Sequence, residues 1–295
     1  MGWPRLVPTA FALLLPPTWS HPVSHEQESL RAVGGPPVVV AARVAGRGVT
    51  YGGGTSDGDP FVLTLSSGGT RLARVVDQWR APCSSGKGYL GSNVLRGNLK
   101  VAKRGAFAGA ARLTADLGGG TQGVETNDFS GVLRGKRASG KWHVHVDVMD
   151  TQSGTKVDDC DLKFNFSARS ARGHIFGGST SARAPVVVQV AANGRKVSLF
   201  RIGWSADCTP PGVIQFGEAF ANFPISSGRF GDDFFLQNPP DQSGQTDRFD
   251  YKVHGRVGRR AASGTFQGMA TRRDAAGNPL LTCTGTPLTW TAASG

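Results

Sequence analysis

The sequence predicts an all-β protein built of two tandem homologous domains, each a β-sandwich or small β-barrel with one disulfide. Three observations carry that prediction. Residues 51–83 lie over residues 176–208 without a gap at a constant offset of 125, and 10 of the 33 positions are identical. Apolar residues in both stretches alternate with period two, and no window of useful length has helical periodicity. Four cysteines fall two to a repeat, Cys83 with Cys160 and Cys208 with Cys283, at separations of 77 and 75. A self-contained duplicated unit favours pairing within each repeat among the three connectivities that four cysteines allow. Closing such a loop contributes roughly 4–5 kcal/mol in the chain-entropy picture.

The chain opens with Arg5, an apolar run from Leu6 to Leu15, and the helix-breaking pair Pro16-Pro17 before small residues near Ser20. This reads as a secretory signal peptide over 1–20. A tail from a misplaced start codon is the competing reading, because Pro8 interrupts the run and no Ala-x-Ala site follows. Export also suits the cysteine usage. Residues 21–50, with Gly34-Gly35-Pro36-Pro37, read as a flexible stalk holding at most one short strand. No later stretch reaches the roughly 18 apolar residues of a membrane span. The expected location is extracellular or associated with the cell envelope after signal-peptide cleavage.

The first repeat, 51–168, and the second, 176–292, are joined by the linker 169–175, short enough for the two to pack together. Each opens on an aromatic residue and glycines, Tyr51-Gly52-Gly53 and Phe176-Gly177-Gly178. A strand follows with Phe61, Leu63 and Leu65, or Val186, Val188 and Val190, on one face. The turn after it contains Gly68-Gly69 or Asn193-Gly194, the latter the favoured pair for a two-residue hairpin. The next strand carries Phe200, Ile202 and Trp204 on one face, and its twin carries Val75, Asp77 and Trp79. A buried acid is costly unless paired, so Asp77 is expected at a partly exposed edge. Gly105-Ala106-Phe107 loosely matches Gly228-Arg229-Phe230, and similarity returns at Gly131 to Gly140 and Gly255 to Gly264. Asp150 to Gly154 and Asp274 to Gly277 have ordinary turn chemistry, with Asp early and Gly late.

The net charge is +12, with 24 Arg against 9 Lys. Arginine forks suit phosphate and carboxylate partners. Arg134, Lys136 and Arg137 in the first copy and Arg256, Arg259 and Arg260 in the second occupy the same structural place. Two such turns can hold a repeating polyanion at two points, the alternative being a solvated hairpin rim. Aromatic residues do not interleave with these basic residues in the manner of nucleic-acid readers, so no nucleic-acid partner is expected.

His143, His145 and Asp147 share one face of a strand, a pattern that points two imidazoles at one metal. Two histidines on the wet face of a hairpin are the alternative. Asp158, Asp159 and Asp161 around Cys160 read as a surface acidic edge without EF-hand spacing. Signatures of serine or zinc hydrolases are missing, no catalytic residue is assigned, and no cofactor is expected.

Aromatic-Gly-Gly-x-Thr-Ser, then a Pro-Val-Val run, Gly-Arg-x-Val, Trp and Cys, and a late Gly-x-x-x-Cys-x-Gly, resembles tandem repeats in uncharacterised exported bacterial proteins. The match is best in 176–292; the first copy departs from it with Asp161-Leu162 where the second has Thr284-Gly285. The resemblance implies secretion and repetition and implies no activity. The expected function is that of a non-enzymatic, exported binding or envelope-associated module for anionic polymers. A secreted hydrolase acting on carbohydrate or ester and a structural spacer are the alternatives.

Overall fold

The computed structural model describes residues 23–24, 48–118, 120–210 and 212–295. The expected signal peptide and most of the expected stalk lie outside them. Every described element is a strand, as the period-two patterning requires. The first sheet comprises β1 (Val23–Ser24), β2 (Thr50–Thr55), β3 (Pro60–Leu65), β4 (Arg71–Pro82), β5 (Gly88–Lys100), β6 (Ala106–Gly118), β7 (Thr121–Arg134), β8 (Arg137–Asp150) and β9 (Lys156–Arg169). The second comprises β10 (Ile175–Thr180), β11 (Pro185–Val190), β12 (Lys196–Thr209), β13 (Gly212–Phe220), β14 (Phe223–Pro224), β15 (Arg229–Gln237), β16 (Thr246–Val257), β17 (Ala261–Arg273), β18 (Pro279–Thr284) and β19 (Leu288–Ala293).

Strand order in the first sheet is β5-β4-β3-β2-β9-β8-β7-β6, all antiparallel, with β1 added in parallel beside β5. One turn joins β5 to β6, so the sheet rolls up and brings its two edge strands side by side without a ladder between them. The second sheet repeats the path as β13-β12-β11-β10-β19-β17-β16-β15. Its edges meet through side chains, with Phe220 and Phe234 rings 5.3 Å apart. Each unit is thus a barrel-like roll with one face inward. Besides the short β1 of the first sheet and β14 of the second, the units differ in the last strand: β9 runs unbroken, whereas Gly285-Thr286-Pro287 separates β18 from β19. Proline has no N–H to donate to a ladder, and β18 pairs with both β17 and β12.

Both interiors are aromatic. In the first, Phe61 stacks on Phe166 at 4.4 Å and Phe129 on Trp142 at 4.4 Å. In the second, Trp204 stacks on Phe216 at 4.3 Å and Tyr251 meets Phe220 edge-on at 4.8 Å. Burying each such ring contributes about 1.5–3 kcal/mol. The loose sequence match of Gly105-Ala106-Phe107 with Gly228-Arg229-Phe230 is close in space. Leu133 and Val257 donate to the carbonyls of Gly105 and Gly228, and Phe107 and Phe230 are both buried. Disulfides Cys83–Cys160 and Cys208–Cys283 join the end of β4 to β9 and the end of β12 to β18.

The two units pack through the outer faces of β2–β4 and β10–β13. Val62, Val76 and Val187 form a small core of their own between them. Val62 and Val187 are equivalent positions in the repeats, as are Gly52 and Gly177, and the contact is reciprocal. A Cβ on Gly52 would lie 2.7 Å from Val187, and one on Gly177 would lie 2.7 Å from Val62. The identical residues therefore mark an approximate twofold contact in which each backbone must come close to the other unit. Gln78 and Gly203, also equivalent, face each other across it. Gln78 Nε2 donates to the Phe216 carbonyl at 2.9 Å, and a side chain on Gly203 would overlap Gln78.

Two sequence expectations need correction. Asp77 is not at an exposed edge; it is 0% exposed and points into the first core beside Trp79. The Asn193-Gly194 turn is not a two-residue hairpin: Ala191 N donates to the Lys196 carbonyl across four intervening residues. Of that pair only Gly194 takes positive φ, whereas the two-residue turn needs both residues there.

Candidate functional site

The first group to place is the basic turns. Arg134 and Arg137 face each other as the last ladder pair of the β7–β8 hairpin, and Arg137 faces Arg169 across β8–β9. Three arginines thus form a continuous row over three strands. In the second unit Arg256 faces Arg229 across β16–β15, and Arg259 and Arg260 lie in the following turn. The linker binds the two clusters to one end of the molecule. Ser170 N donates to the Lys136 carbonyl at 2.9 Å, Ser294 N donates to the Arg260 carbonyl at 3.0 Å, and Gly173 N donates to Ser294 Oγ at 2.8 Å. Gly173 also lies against the Arg259 carbonyl. Three residue steps span at most about 11 Å, so the turn backbones lie within roughly 20 Å of each other.

Arg134, Lys136, Arg137, Arg256, Arg259 and Arg260 are all exposed, and none forms an ion pair among the described residues. Like charges directly opposite on a sheet are destabilising, so fold stability alone gives no reason for these rows. Sequence reading missed Arg169, Arg172 and Arg229, which share this end. Their signal lies in strand register, which a linear reading of turns does not supply.

The second group is the histidine strand. Across the β8–β9 ladder His143 faces Lys163, His145 faces Asp161, and Asp147 faces Asp159. His145 Nε2 lies 3.2 Å from Asp147 Oδ1 and 3.4 Å from Asp159 Oδ2, while His143 Nε2 bonds Asp161 Oδ1. Lys156 Nζ contacts the same two oxygens, at 3.0 and 2.9 Å. Hydrogen bonds from Lys156 and His145 outweigh a partial loss of solvent and hold Asp147 below the usual carboxylate range. Asp161 is lowered chiefly by its bond from His143. Of the sequence-predicted residues, His145 and Asp147 come together with Asp159, whereas His143 pairs with Asp161 outside that group, so the two imidazoles do not converge on one point. Asp158 is not part of the group; it binds Ser84 and Ser85 in the turn after Cys83.

A third group is buried. Inside the first unit Asn93 Nδ2 and Asn127 Nδ2 both donate to Glu125 Oε1, at 2.7 and 2.6 Å, and Trp142 Nε1 donates to Asn127 Oδ1 at 2.8 Å. Burial and the neighbouring Glu125 push Asp77 well above the carboxylate range. In the second unit burial raises Glu218 to about 7 against the pull of the Tyr251 hydroxyl, which donates to it at 2.8 Å. Between the units Asp59, raised to about 6 by burial, lies 3.6 Å from Arg80. Arg74, lowered to about 10 by burial, donates to Ser179 Oγ at 2.8 Å. Asp77 and Glu125 are at most 1% exposed, so no substrate reaches them. Their chemistry is that of a packed polar core.

Comparison with protein-family models, curated proteins and solved structures finds no match to this chain. Among the described residues no helix is long and apolar enough to cross a membrane.

Proposed function

We propose that this chain is an exported, envelope-associated binding module whose basic end holds anionic polymers. The observation that carries this reading is the row of opposed arginines in each unit, Arg134–Arg137–Arg169 and Arg229–Arg256, at the end the linker closes. Guanidinium groups offer planar donor forks to phosphate, sulfate or carboxylate oxygens. A bound anion relieves the repulsion along each row, so binding and the local cost to the fold are linked. Two clusters within roughly 20 Å on one chain let a repeating polymer engage both, with the second contact made at high effective concentration. The two disulfides suit an oxidising compartment. Export and the resemblance to exported tandem-repeat proteins belong to the same proposal.

Retention of the purified chain from residue 20 onward on immobilised anionic and neutral polysaccharides, across a salt series, tests it. Retention on polyanions that disappears as salt screens the charges is the expected result. Retention on one neutral glycan that ignores salt would replace this reading with a shaped sugar site, and no retention on any polymer would reject it.

A further inference from the structure

We propose that the facing columns of β8 and β9 form a site for a divalent transition metal of the zinc class, centred on His145. Borderline metals take imidazole nitrogen together with carboxylate oxygen. Ligands about 2.0–2.2 Å from a tetrahedral ion stand roughly 3.3–3.6 Å from one another. His145 Nε2 is already 3.2 Å from Asp147 Oδ1 and 3.4 Å from Asp159 Oδ2, close to that edge length before any ion enters. The three donor atoms lie within 4.8 Å of each other. Asp161 Oδ1 lies 3.6 Å from the other ring nitrogen, His145 Nδ1, where it can orient the imidazole and is not one of the donors.

The second observation is the occupant. The Lys156 ammonium touches the two oxygens that face His145 Nε2, at 3.0 and 2.9 Å, so the chain's own cation stands where the ion would be held. Lys156 comes from the start of β9 and is about half exposed. The cluster is also dispensable to the fold. At the matching positions of the second unit stand Gln267, Met269 and Thr271, with Thr282 and Thr284 for Asp159 and Asp161. The same strands form there without a single one of these ligands.

Calorimetric titration of the full chain with Zn2+ tests the assignment, with thermal unfolding confirming that each variant folds. The expected result is one ion bound by the wild type. H145A should weaken that binding by more than the about 10–100-fold that loss of an outer-sphere partner costs. Removing the internal competitor with K156M should tighten it, and H254A, whose histidine pairs with Asp233 on the second unit, should leave it unchanged. Unaltered affinity in H145A, or weaker affinity in K156M, would overturn the site. Because the basic end takes no part in the titration, failure here leaves the polyanion reading standing, and the converse holds.

Discussion

At matching positions the two units solve the interior differently. Where the first has Asp77, Asn93, Glu125 and Asn127, the second has Ile202, Glu218, Phe249 and Tyr251. The first buries a network of amides and carboxyls tied to Trp142; the second buries aromatic rings and keeps one acid, Glu218, under the Tyr251 hydroxyl. Strand order and disulfide placement are nonetheless shared. The rolled sheet therefore tolerates either a hydrogen-bonded or an aromatic interior. What it holds constant are the close backbone approaches at Gly52 and Gly177, the tryptophans Trp79 and Trp204, and the cystines.

The largest effect should come from a feature the units share. Replacing Cys83 and Cys160 by Ala, or Cys208 and Cys283 by Ala, should destabilise the protein by roughly 4–5 kcal/mol in either case, because the loops are nearly equal. Denaturant titration reads both losses, and a large inequality would show that the units fold with different dependence on their cystines. The next effect is specific to the first unit. Asn127→Ala strands Trp142 Nε1–H and removes the Asn127 donor to Glu125 Oε1, each a buried polar group costing about 1–3 kcal/mol when unmet. Tyr251→Phe at the equivalent position removes one hydrogen bond and should cost less. Equal losses in the two variants would remove the distinction drawn between the interiors.

Acid dependence sharpens the same comparison. Glu218 has its folded pKa raised from 4.5 to about 7, so between those values the folded state holds a proton that the unfolded state has released. Stability must fall as pH rises through that window. Glu218→Gln should flatten the decline, while the raised Asp77 adds a decline of the same sign that only Asp77→Asn removes. Unfolding free energies at pH 4.5, 6 and 8 check this, and a stability that climbs across the window in the wild type with no response to either variant would reject it. The smallest effect is at the basic end. Arg137→Ser breaks the row Arg134–Arg137–Arg169 and should stabilise the fold by about 0.2–1 kcal/mol while weakening polyanion binding. A variant that loses stability would mean the row contributes to the fold.

Much of this architecture was legible in the chain. The period-two runs placed Phe61, Leu63 and Leu65 in the first core and Val186, Val188 and Val190 in the second. The repeat placed both disulfides. Asp77 was misread because its polar neighbours Asn93 and Glu125 come from two other strands, and a local pattern carries no information about them. Val62 and Val187 alternate with the core residues of β3 and β11, and the contact between units shows why valine stands in both. At the candidate sites, residue types were visible and register was not. The histidines of β8 could be read from alternation, but Asp159 and Asp161 join them through the β8–β9 ladder, and Arg169 and Arg229 join the basic turns through theirs.

The central claim is that two basic clusters act together on one polymer. Affinity for a defined anionic oligosaccharide long enough to span roughly 20 Å should be measured at low and physiological salt. The proteins to compare are the wild type, the triple Ala variant at Arg134, Lys136 and Arg137, and the triple Ala variant at Arg256, Arg259 and Arg260. Each triple variant should lose most of the affinity and about half of the salt dependence, because each removes one of two linked contacts. Affinity and salt dependence unchanged in both would contradict the account.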